Sequence, residues 1–543
     1  MNKQEIVQTF LSENYLVSPD FLDSFDGDSS FLKQLIDKND LVVLNKDLFL
    51  VLKDEGKLPD VSWVEFDKSR AVMEKGKNTK IYETFLDILS YSINPNKKSE
   101  LNKVVSEVKK PEPTVVIEKK SFFPNVIVAQ TVNQDDKKKD FADFVQHFKV
   151  RYEALRNILI DRQELQNTLS INRILKKRDH AVVSIIGLVQ DKKETKNGHI
   201  LLTLEDLTGI ITVIISKNKE ELHQLARNIV LDEVIGVLGN SNGDVVFCNK
   251  VCFPDVPITK EAKKSKDDVL VGFISDIHVG SDKFLEKEFL RFIDWINGHV
   301  GNKEDRAKAL RVKYLFVVGD LVHGVGVYPN QEKDTTIKDI YKQYSELARY
   351  FSMIRKDIKI IMAPGDHDAT QLSHPQPPVN KQIAKDLWNI PNLIFVTNPA
   401  NVTIHASEHF PGFDVLLYHG HGFHYFIDAA QELRKNDTPH NPHHIMRYLL
   451  QKRHLAPSHA STIYIPGEKE DPLAILKIPD IFVAAHLHNP AHSEYNNVIT
   501  INTSCWQSIT DFEVKVGNFP DPCKVPLLNL KTRKVEVLDF NEK

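Results

Sequence analysis

Residues that suit a metal ion follow directly after apolar runs at several points in the second half of this chain. The apolar runs are VLVGFIS, YLFVV, IKIIMAP, DVLLY and DIFVAA, and such runs are typical of buried strands. The segments that carry ligating residues are Asp276-Ile277-His278, Gly319-Asp320, Gly365-Asp366-His367-Asp368, His405, His419 and His486-Leu487-His488. Because active-site loops gather where the strands of an open α/β sheet end, the pattern predicts an α/β domain with a functional site at one rim.

Mixed aspartate and histidine side chains on one rim suit a pair of divalent ions, and paired ions act on phosphate esters. Such a site needs two ions about 3.5–4 Å apart, a bridging carboxylate and a hydroxide that attacks phosphorus. Asp276 and His278 stand two apart at a strand end, so both can face one ion. Asp320 is placed to bridge, because the preceding glycine lets the backbone approach closely. The histidines that complete the two positions are His419, His486 and His488.

The composition limits the class of protein and its location. A length of 543 residues exceeds one ordinary core, so two to four domains are expected. No apolar run approaches the roughly 18 residues of a membrane span, and the first residues do not form a signal peptide. Four cysteines are too few for a disulfide framework, so we expect a cytoplasmic protein with no membrane contact. A formal charge of -4 requires that any DNA contact be local or supplied by a partner.

The first part of the chain is predicted to hold a small domain and a linker. Residues 1–93 show helical periodicity without a catalytic cluster, which predicts a small helical domain. Residues 94–139 are rich in Lys, Glu, Pro, Asn and Asp and are predicted to be a flexible linker. The apolar stretch SFFPNVIV within it is either a docking peptide or a segment packed on a neighbouring domain, and the second is favoured.

Residues 140–260 are predicted to be a helical lead-in followed by a β-barrel. Five short strands with a helical stretch before the fourth are the order of an OB fold. OB folds often bind single strands, but a domain that only packs on its neighbours is equally open. The lysines that would supply local positive charge are Lys192, Lys193, Lys196, Lys217 and Lys219. Cys248 and Cys252 are interpreted as buried thiols, since no second pair that could complete a zinc site lies nearby.

Several residues near the ligating segments are predicted to have structural roles and not to bind metal. Asp368 is expected to orient His367 or its loop, and His405 has no partner at ligand spacing. His421 and His424 are expected to flank the site, with a role in phosphate binding as the alternative. The loop TPHNPHH is expected to be solvated rather than to hold a third metal.

The motifs of residues 268–543 resemble one known family. They are GDLVHGVGVYPNQ, APGDHD, YHG, KRHLAP, PDIFVAAHLHN and TSCWQSITDFEVKV. On these, the chain resembles the calcineurin-like metallophosphoesterases and, within them, the small subunits of archaeal family-D DNA polymerase. The OB-like segment and its lead-in FVQHFKVRYEALR fit the same family, whereas the N-terminal unit fits only in size and position. The resemblance implies a multidomain protein, in which an α/β phosphoesterase (a β-sandwich flanked by helices) follows an OB barrel and a small helical domain.

The resemblance also implies roles for the residues and partners for the chain. One ion would be held by Asp276, His278, Asp320 and His488, and the other by Asp320, Asp366, His419 and His486. His367 would be the general acid that protonates the leaving 3′ oxygen. The implied reaction is a proofreading 3′→5′ exonuclease that releases 5′-monophosphates, with Mn²⁺ expected and Mg²⁺, Fe²⁺ or Zn²⁺ as alternatives. The implied partners are a large polymerising subunit and DNA 3′ ends, with a sliding clamp or primase as further possibilities.

The chain departs from the family's usual pattern at a few positions, and these keep other functions open. Asp366 stands where the family usually has asparagine, which predicts retained metal binding with altered activity. His323 and the residues after His419 also differ, so substrate positioning is expected to differ. The main alternative is a weakly active or inactive scaffold subunit that links the polymerase to other replication proteins. A stand-alone phosphodiesterase or double-strand-break nuclease is disfavoured by the OB-like segment and the TSCWQSITDF motif.

Overall fold

A computed structural model describes residues 125–129, 138–176 and 181–542, together with a few isolated positions before residue 47. The chain forms two compact units, Met1–Phe122 and Phe123–Lys543. In the first unit, strands β1 (Leu16–Val17) and β2 (Val43–Leu44) pair in parallel. The predictions of a helical domain over residues 1–93 and of a linker over residues 94–139 lie largely outside the described residues.

The second unit begins with a short strand, a helical lead-in and a closed barrel of five strands. Strand β3 is Val126–Val128, the helices are α1 (Phe141–Ile160), α2 (Ile171–Lys176) and α3 (Glu220–Arg227), and the barrel strands are β4 (Ala181–Glu194), β5 (Ile200–Asp206), β6 (Gly209–Ile215), β7 (Val234–Ser241) and β8 (Val245–Cys252). The barrel order is β4-β5-β6-β8-β7, with α3 before the fourth barrel strand, as an OB fold requires. Cys248 and Cys252 are buried free thiols, as predicted.

The remainder of the second unit contains two six-stranded sheets. The strands of the first are β9 (Leu270–Ile274), β10 (Val312–Val318), β11 (Lys359–Ala363), β12 (Leu393–Phe395), β18 (Lys524–Asn529) and β19 (Val535–Asp539). Those of the second are β3 together with β13 (Ala400–Ile404), β14 (Phe413–Tyr418), β15 (Ile481–Ala484), β16 (Ala491–Tyr495) and β17 (Val498–Asn502). The first sheet has the order β12-β11-β10-β9-β18-β19 and the second the order β16-β17-β15-β14-β13-β3.

Helices cover one face of each sheet, and the other faces are also buried. The helices are α4 (Glu286–Ile296), α5 (Lys303–Arg311), α6 (Ile340–Ser352), α7 (Lys385–Trp388), α8 (Phe423–Ala429), α9 (Gln431–Lys435), α10 (His443–Lys452) and α11 (Asp511–Val516). Leu315 and Val317 of β10 share a core with α4 and α6, whereas Phe316 between them stacks on Phe273 of β9. In the second sheet, Tyr418 shares a core with α8 and α10. Burial of both faces explains why these strands are continuous apolar runs. No helix in the described ranges is long and apolar enough to span a membrane.

Strand β3 comes from the apolar stretch SFFPNVIV within the predicted linker. It pairs antiparallel with β13, with Val128 opposite Val402 and Val126 opposite Ile404. The side chain of Asn125 donates to the carbonyl of Ala406 just beyond that strand. This stretch therefore packs on a neighbouring domain as a sixth sheet strand, which matches the favoured alternative.

Buried charges join the lead-in helix and the barrel to the second sheet and its helices. Arg151 of α1 donates to Asp471 Oδ2 at 2.6 Å and to the Pro457 carbonyl at 2.6 Å, and the Arg151 and Asp471 side chains are fully buried. Asp471 also lies 2.8 Å from His454 Nε2. Lys452 pairs with Glu233 of the barrel at 2.6 Å. The KRHLAP motif, Lys452 to Pro457, is therefore a joint that fixes the barrel in place.

Replacing Asp471 with alanine is expected to lower the free energy of unfolding by about 3–5 kcal/mol, because the buried Arg151 charge loses its partner. Thermal and denaturant unfolding of the purified chain would measure the loss. The matched control is Asp191→Ala, which removes the exposed partner of Lys193 and should leave the unfolding midpoint close to that of wild type. Equal effects of the two substitutions would contradict the role given to the joint.

Candidate metal centre

Five strand-to-loop connections bring the predicted ligands together. β9, β10 and β11 are mutually parallel, as are β14 and β15, so their carboxyl ends lie at a common rim. Asp276, Asp320 and Asp366 follow β9, β10 and β11, while His419 and His486 follow β14 and β15. The rim predicted from the order of apolar runs and ligands is thus where the structure places these side chains.

The backbone around the ligands is held in unusual conformations. Left-handed φ angles occur at Asp276 (47°), His278 (52°), Asp320 (48°), His486 (71°) and His488 (57°). Such angles cost non-glycine residues of order 1–3 kcal/mol each and gather at functional sites. Gly319 has a φ of 82°, and a Cβ there would lie 2.4 Å from the His419 ring. Glycine is therefore required before Asp320, as the close-approach argument predicts.

The first group of candidate ligands consists of Asp276, His278 and His488. One ligand atom from each lies within 4.8 Å of the other two. Asp276 Oδ2 accepts a hydrogen bond from Ser275, and its Oδ1 lies 3.2 Å from His488 Nε2. His488 Nδ1 donates to Glu513 Oε1 at 2.7 Å, which leaves the Nε2 lone pair facing the group.

The second group consists of Asp320, His419 and His486, whose ligand atoms are equally close. His419 Nδ1 donates to the Val318 carbonyl at 2.8 Å, so its Nε2 faces Asp320 Oδ2 at 3.4 Å. The same Asp320 oxygen lies 3.8 Å from His278 Nε2 in the first group. Asp320 therefore lies between the groups, where a bridging carboxylate would stand.

Asp366 adds a further carboxylate to the second group. Its Oδ2 lies 3.4 Å from His486 Nδ1 and 3.8 Å from His419 Nε2. Its closest imidazole among these is that of His421, whose Nδ1 lies 3.0 Å away. His421 is thus in direct contact with a predicted ligand, which the sequence left open.

Several ligand atoms at this rim are buried without a hydrogen bond from any described residue. They are Asp276 Oδ1, both ring nitrogens of His278, both carboxylate oxygens of Asp366 and Nε2 of His419. Buried polar atoms are almost always hydrogen-bonded, so a converging set of unsatisfied carboxylate oxygens and ring nitrogens suits bound cations. Carboxylates and imidazoles together suit Mn²⁺, Fe²⁺ or Zn²⁺. The residues present therefore fit a pair of divalent ions.

The charges in this cluster influence one another strongly. Burial opposes the charge on Asp320, but His419 and His367 nearby hold the pKa of Asp320 well below its usual range. Asp320 in turn raises the pKa of His419 well above its ordinary value, against the effect of burial. Burial is likewise outweighed at Asp366, where the contact with His421 and the charge of His419 lower the pKa to about 2. Bound cations would take the place of these protons.

Comparison with known proteins identifies the family. A family model described as the B subunit of DNA polymerases alpha and epsilon matches residues 271–493, and one described as OB-fold nucleic acid binding domain matches residues 183–243. A "DNA polymerase II small subunit" of Methanothermobacter thermautotrophicus is 39% identical over 438 residues, covering 80% of this chain and 87% of that protein. The chain belongs to the family of small subunits of archaeal family-D DNA polymerase. The resemblance to the family-D small subunits, stated from the motifs, is therefore confirmed.

Other family-D small subunits match over smaller shares of their length. The protein of that name from Pyrococcus furiosus is 37% identical over 397 residues, which cover 73% of this chain and 63% of that protein. The one from Methanocaldococcus jannaschii is 37% identical over 390 residues, covering 72% and 64%.

In this family-D small subunit, His367 lies beside the rim, and its hydrogen bonds are made by its backbone N–H and Nδ1, not by Nε2. Its backbone N–H donates to Asp320 Oδ1 at 2.9 Å, and its Nδ1 donates to the His323 carbonyl at 2.8 Å. Its ring lies 4.7 Å from that of His278, centroid to centroid. The side chain is thus fixed in orientation, with Nε2 free of these bonds.

Asp368 and His405 were predicted to have structural roles, and both make hydrogen bonds to neighbouring segments. Asp368 Oδ2 accepts from the backbone N–H groups of Gly365 and Leu321 at 2.8 and 3.2 Å, which ties two ligand loops together. Burial and the charge of Asp320 raise the pKa of Asp368 to about 7. His405 lies 2.9 Å from Ser265 Oγ and 3.0 Å from Asp267 Oδ2, and it belongs to neither ligand group.

The sequence did not point to Glu513 at this centre, and it marked His323 only as a departure from the family's usual pattern. Glu513 orients His488, and its only local signal was the Thr510-x-x-Glu513 pattern, which also forms the capping box of α11. His323 lies in a further group with His278 and His367, with ligand atoms again within 4.8 Å. Burial and the charge of His367 lower the pKa of His323 to about 4.

Proposed function

We propose that this chain is the metal-dependent 3′→5′ exonuclease of a two-subunit DNA polymerase and that it removes mismatched 3′-terminal nucleotides. The observation that carries the proposal is the convergence of unsatisfied, buried aspartate and histidine atoms on two groups joined by Asp320. Two bound divalent ions, Mn²⁺ first among them, would activate water and offset the charge of the scissile phosphate. The proposed reaction is hydrolysis of the terminal phosphodiester to a 5′-monophosphate.

The residues would divide between the two ions as the family resemblance implies. Asp276, His278, Asp320 and His488 would hold one, and Asp320, Asp366, His419 and His486 the other. The geometric grouping supports this division, since Asp320 Oδ2 lies within 3.8 Å of a histidine Nε2 in each group. The hydrogen bonds of His419 to Val318 and of His488 to Glu513 fix the tautomers that leave Nε2 as the ligand atom.

His367 would act as the general acid. Its Nδ1–H is held by the His323 carbonyl, so Nε2 is the atom that would transfer a proton to the leaving 3′ oxygen. The bond from its backbone to Asp320 keeps the ring beside the ligand groups. In this proposal Asp276, His278 and Asp320 need only bind and orient the metal ions.

A large polymerising subunit would supply much of the DNA binding. Three of the barrel lysines expected to contribute positive charge are engaged elsewhere: Lys192 donates to two backbone carbonyls, Lys219 to the Cys248 carbonyl, and Lys193 pairs with Asp191. The contacts of these three lysines leave less positive charge for DNA and support a partner-dependent nuclease. Contacts with a sliding clamp or primase remain further proposals.

A scaffold role is the second candidate, and Asp366 is the observation that favours it. Asp276, Asp320, Asp366 and a hydroxide balance the charge of two divalent ions, whereas asparagine at residue 366 would leave one net positive charge. A neutral centre attracts phosphate less and stabilises the transition state less. The subunit would then serve mainly to connect the polymerase to other replication proteins.

Asp366→Asn is therefore expected to raise kcat/KM for 3′-mismatched primer about tenfold at saturating Mn²⁺, equivalent to about 1.4 kcal/mol. The Mn²⁺ concentration needed for half-maximal activity should rise, because an amide binds the ion less tightly. Asp366→Glu keeps the charge and serves as the control. A slower Asp366→Asn enzyme at saturating metal would contradict the charge argument.

The proposal is tested with the chain alone and in complex with its large subunit. Both are incubated with 3′-mismatched primer and Mn²⁺, beside Asp276→Ala and His488→Ala variants. We expect degradation by the wild-type complex, little by the isolated chain and none by the variants. If wild type and variants degrade the primer equally poorly, the scaffold role is the better account.

A further inference from the structure

An exposed aromatic side chain, Phe519, lies in a loop beside the predicted ligand His488, with the half-buried ring of His440 near it. Phe519 is 59% exposed, although large aromatic side chains are usually buried in a folded chain. The ring of His440 lies nearly parallel to it, with an interplanar angle of 19° and a centroid distance of 6.3 Å. Phe519 therefore presents an accessible aromatic surface with the His440 ring nearly parallel to it.

Hydrogen bonds hold both members of the pair at the metal rim. Asn518 N–H donates to the carbonyl of Glu513, the residue that orients His488, at 2.9 Å. On the other side of Phe519, Asp521 N–H donates to the carbonyl of His488 at 3.1 Å. Phe519 thus lies in a short loop fastened at both ends to the surroundings of one predicted ligand.

His440 is positioned by a separate set of contacts. Its Nδ1 lies 2.9 Å from Asp437 Oδ1, which orients the ring. The preceding carbonyl, that of Pro439, accepts from the side chain of Asn489 at 3.2 Å. Since Asn489 follows His488 directly, His440 is tied to the same ligand from a different loop.

We propose that Phe519, backed by His440, is a stacking subsite for an unpaired nucleobase of single-stranded DNA beside the metal centre. Every base has a π face, so such a surface binds single strands without sequence preference. A base inside a duplex is already covered on both faces, so only a frayed or mismatched end can use the subsite. This deepens the proposed function and rests on it, because it supplies a means of selecting unpaired 3′ ends.

The neighbouring exposed side chains favour a base over the sugar-phosphate backbone as the occupant. Val514 of α11 and Ile509 before it are 56% and 40% exposed, and neither can pair with phosphate. An aromatic ring with apolar neighbours suits the flat, weakly polar face of a base. Phosphate would instead be attracted to the cations held by the ligand groups.

The test uses the full polymerase complex and a primer carrying 2-aminopurine as its mismatched 3′-terminal base. In EDTA, where hydrolysis cannot occur, stacking on Phe519 is expected to quench the fluorescence of the bound primer. Phe519→Ala should lose the quenching and weaken binding of the mismatched primer about tenfold, while Phe519→Trp retains both. Leu310→Ala, which changes an exposed aliphatic residue on α5 at the end of β10 opposite the rim, should behave as wild type.

Kinetic and assembly measurements complete the test. With Mn²⁺, Phe519→Ala should raise KM for mismatched primer with little change in kcat and in metal content. Unchanged quenching in Phe519→Ala, equal losses in Leu310→Ala, or a weakened subunit complex would each overturn the subsite, the last indicating that a protein covers the ring. Quenching that depends on Phe519 in a complex with no nuclease activity would uphold the subsite and reject the proposed function.

Discussion

Replacing Asp320 with alanine is expected to lower the exonuclease rate of the polymerase complex by about a thousandfold. Asp320 Oδ2 lies 3.4 Å from His419 Nε2 and 3.8 Å from His278 Nε2, so its loss affects both ligand groups. A bound ion contributes several kcal/mol to the reaction, and roughly 4 kcal/mol corresponds to this factor. Single-turnover digestion of a 3′-mismatched primer in Mn²⁺ measures it.

The bound metal should fall together with the rate. Elemental analysis is expected to find two Mn²⁺ per wild-type chain and one or none in Asp320→Ala. Asp294→Ala, which removes an exposed carboxylate on α4, is the matched control and should keep both ions and full activity. Loss of activity with two ions still bound would contradict the bridging role of Asp320.

Replacing Glu513 with glutamine is expected to weaken Mn²⁺ binding about 10- to 100-fold. The Glu513 carboxylate accepts the Nδ1–H of His488 at 2.7 Å, which fixes the tautomer and makes Nε2 a stronger ligand. Removal of such supporting groups typically costs this much affinity. Glutamine can still reach the Thr510 backbone N–H, so the capping box of α11 survives and the substitution isolates the charge.

Calorimetric titration with Mn²⁺ checks the Glu513 prediction. Asp511→Asn removes an exposed carboxylate from the same helix and should leave affinity unchanged. The unfolding midpoint of metal-free Glu513→Gln should stay close to that of wild type, which separates metal affinity from folding. An affinity equal to that of wild type would mean that His488 needs no support from Glu513.

The sequence predicted the ligand rim because its signal is local. Each ligand follows an apolar run, and the parallel order of β9, β10 and β11 then places Asp276, Asp320 and Asp366 at one edge. The barrel order was likewise predictable, since the helix before its fourth strand is visible as a change of periodicity. These elements depend on residues adjacent in the chain.

What the sequence could not supply are pairings between distant residues. Glu513 contacts His488 across 25 positions, and Arg151 contacts Asp471 across 320, and nothing in the local pattern links either pair. The KRHLAP motif therefore supported the family resemblance, but its sequence did not predict that its charged residues make buried contacts with the lead-in helix and the barrel. The left-handed backbone at the predicted ligands was equally hidden, because Asp and His adopt it more often than other non-glycine residues but still only rarely.

The most direct test of the proposed nuclease follows the fate of the primer end. The wild-type complex is given a primer labelled at its 5′ end and mismatched at its 3′ end, with Mn²⁺, and products are resolved by length and by chemical identity. We expect a ladder of products that shortens stepwise from the 3′ end, together with release of 5′-mononucleotides. Neither should appear with Asp320→Ala. Internal cleavage, or the same ladder from Asp320→Ala, would contradict it.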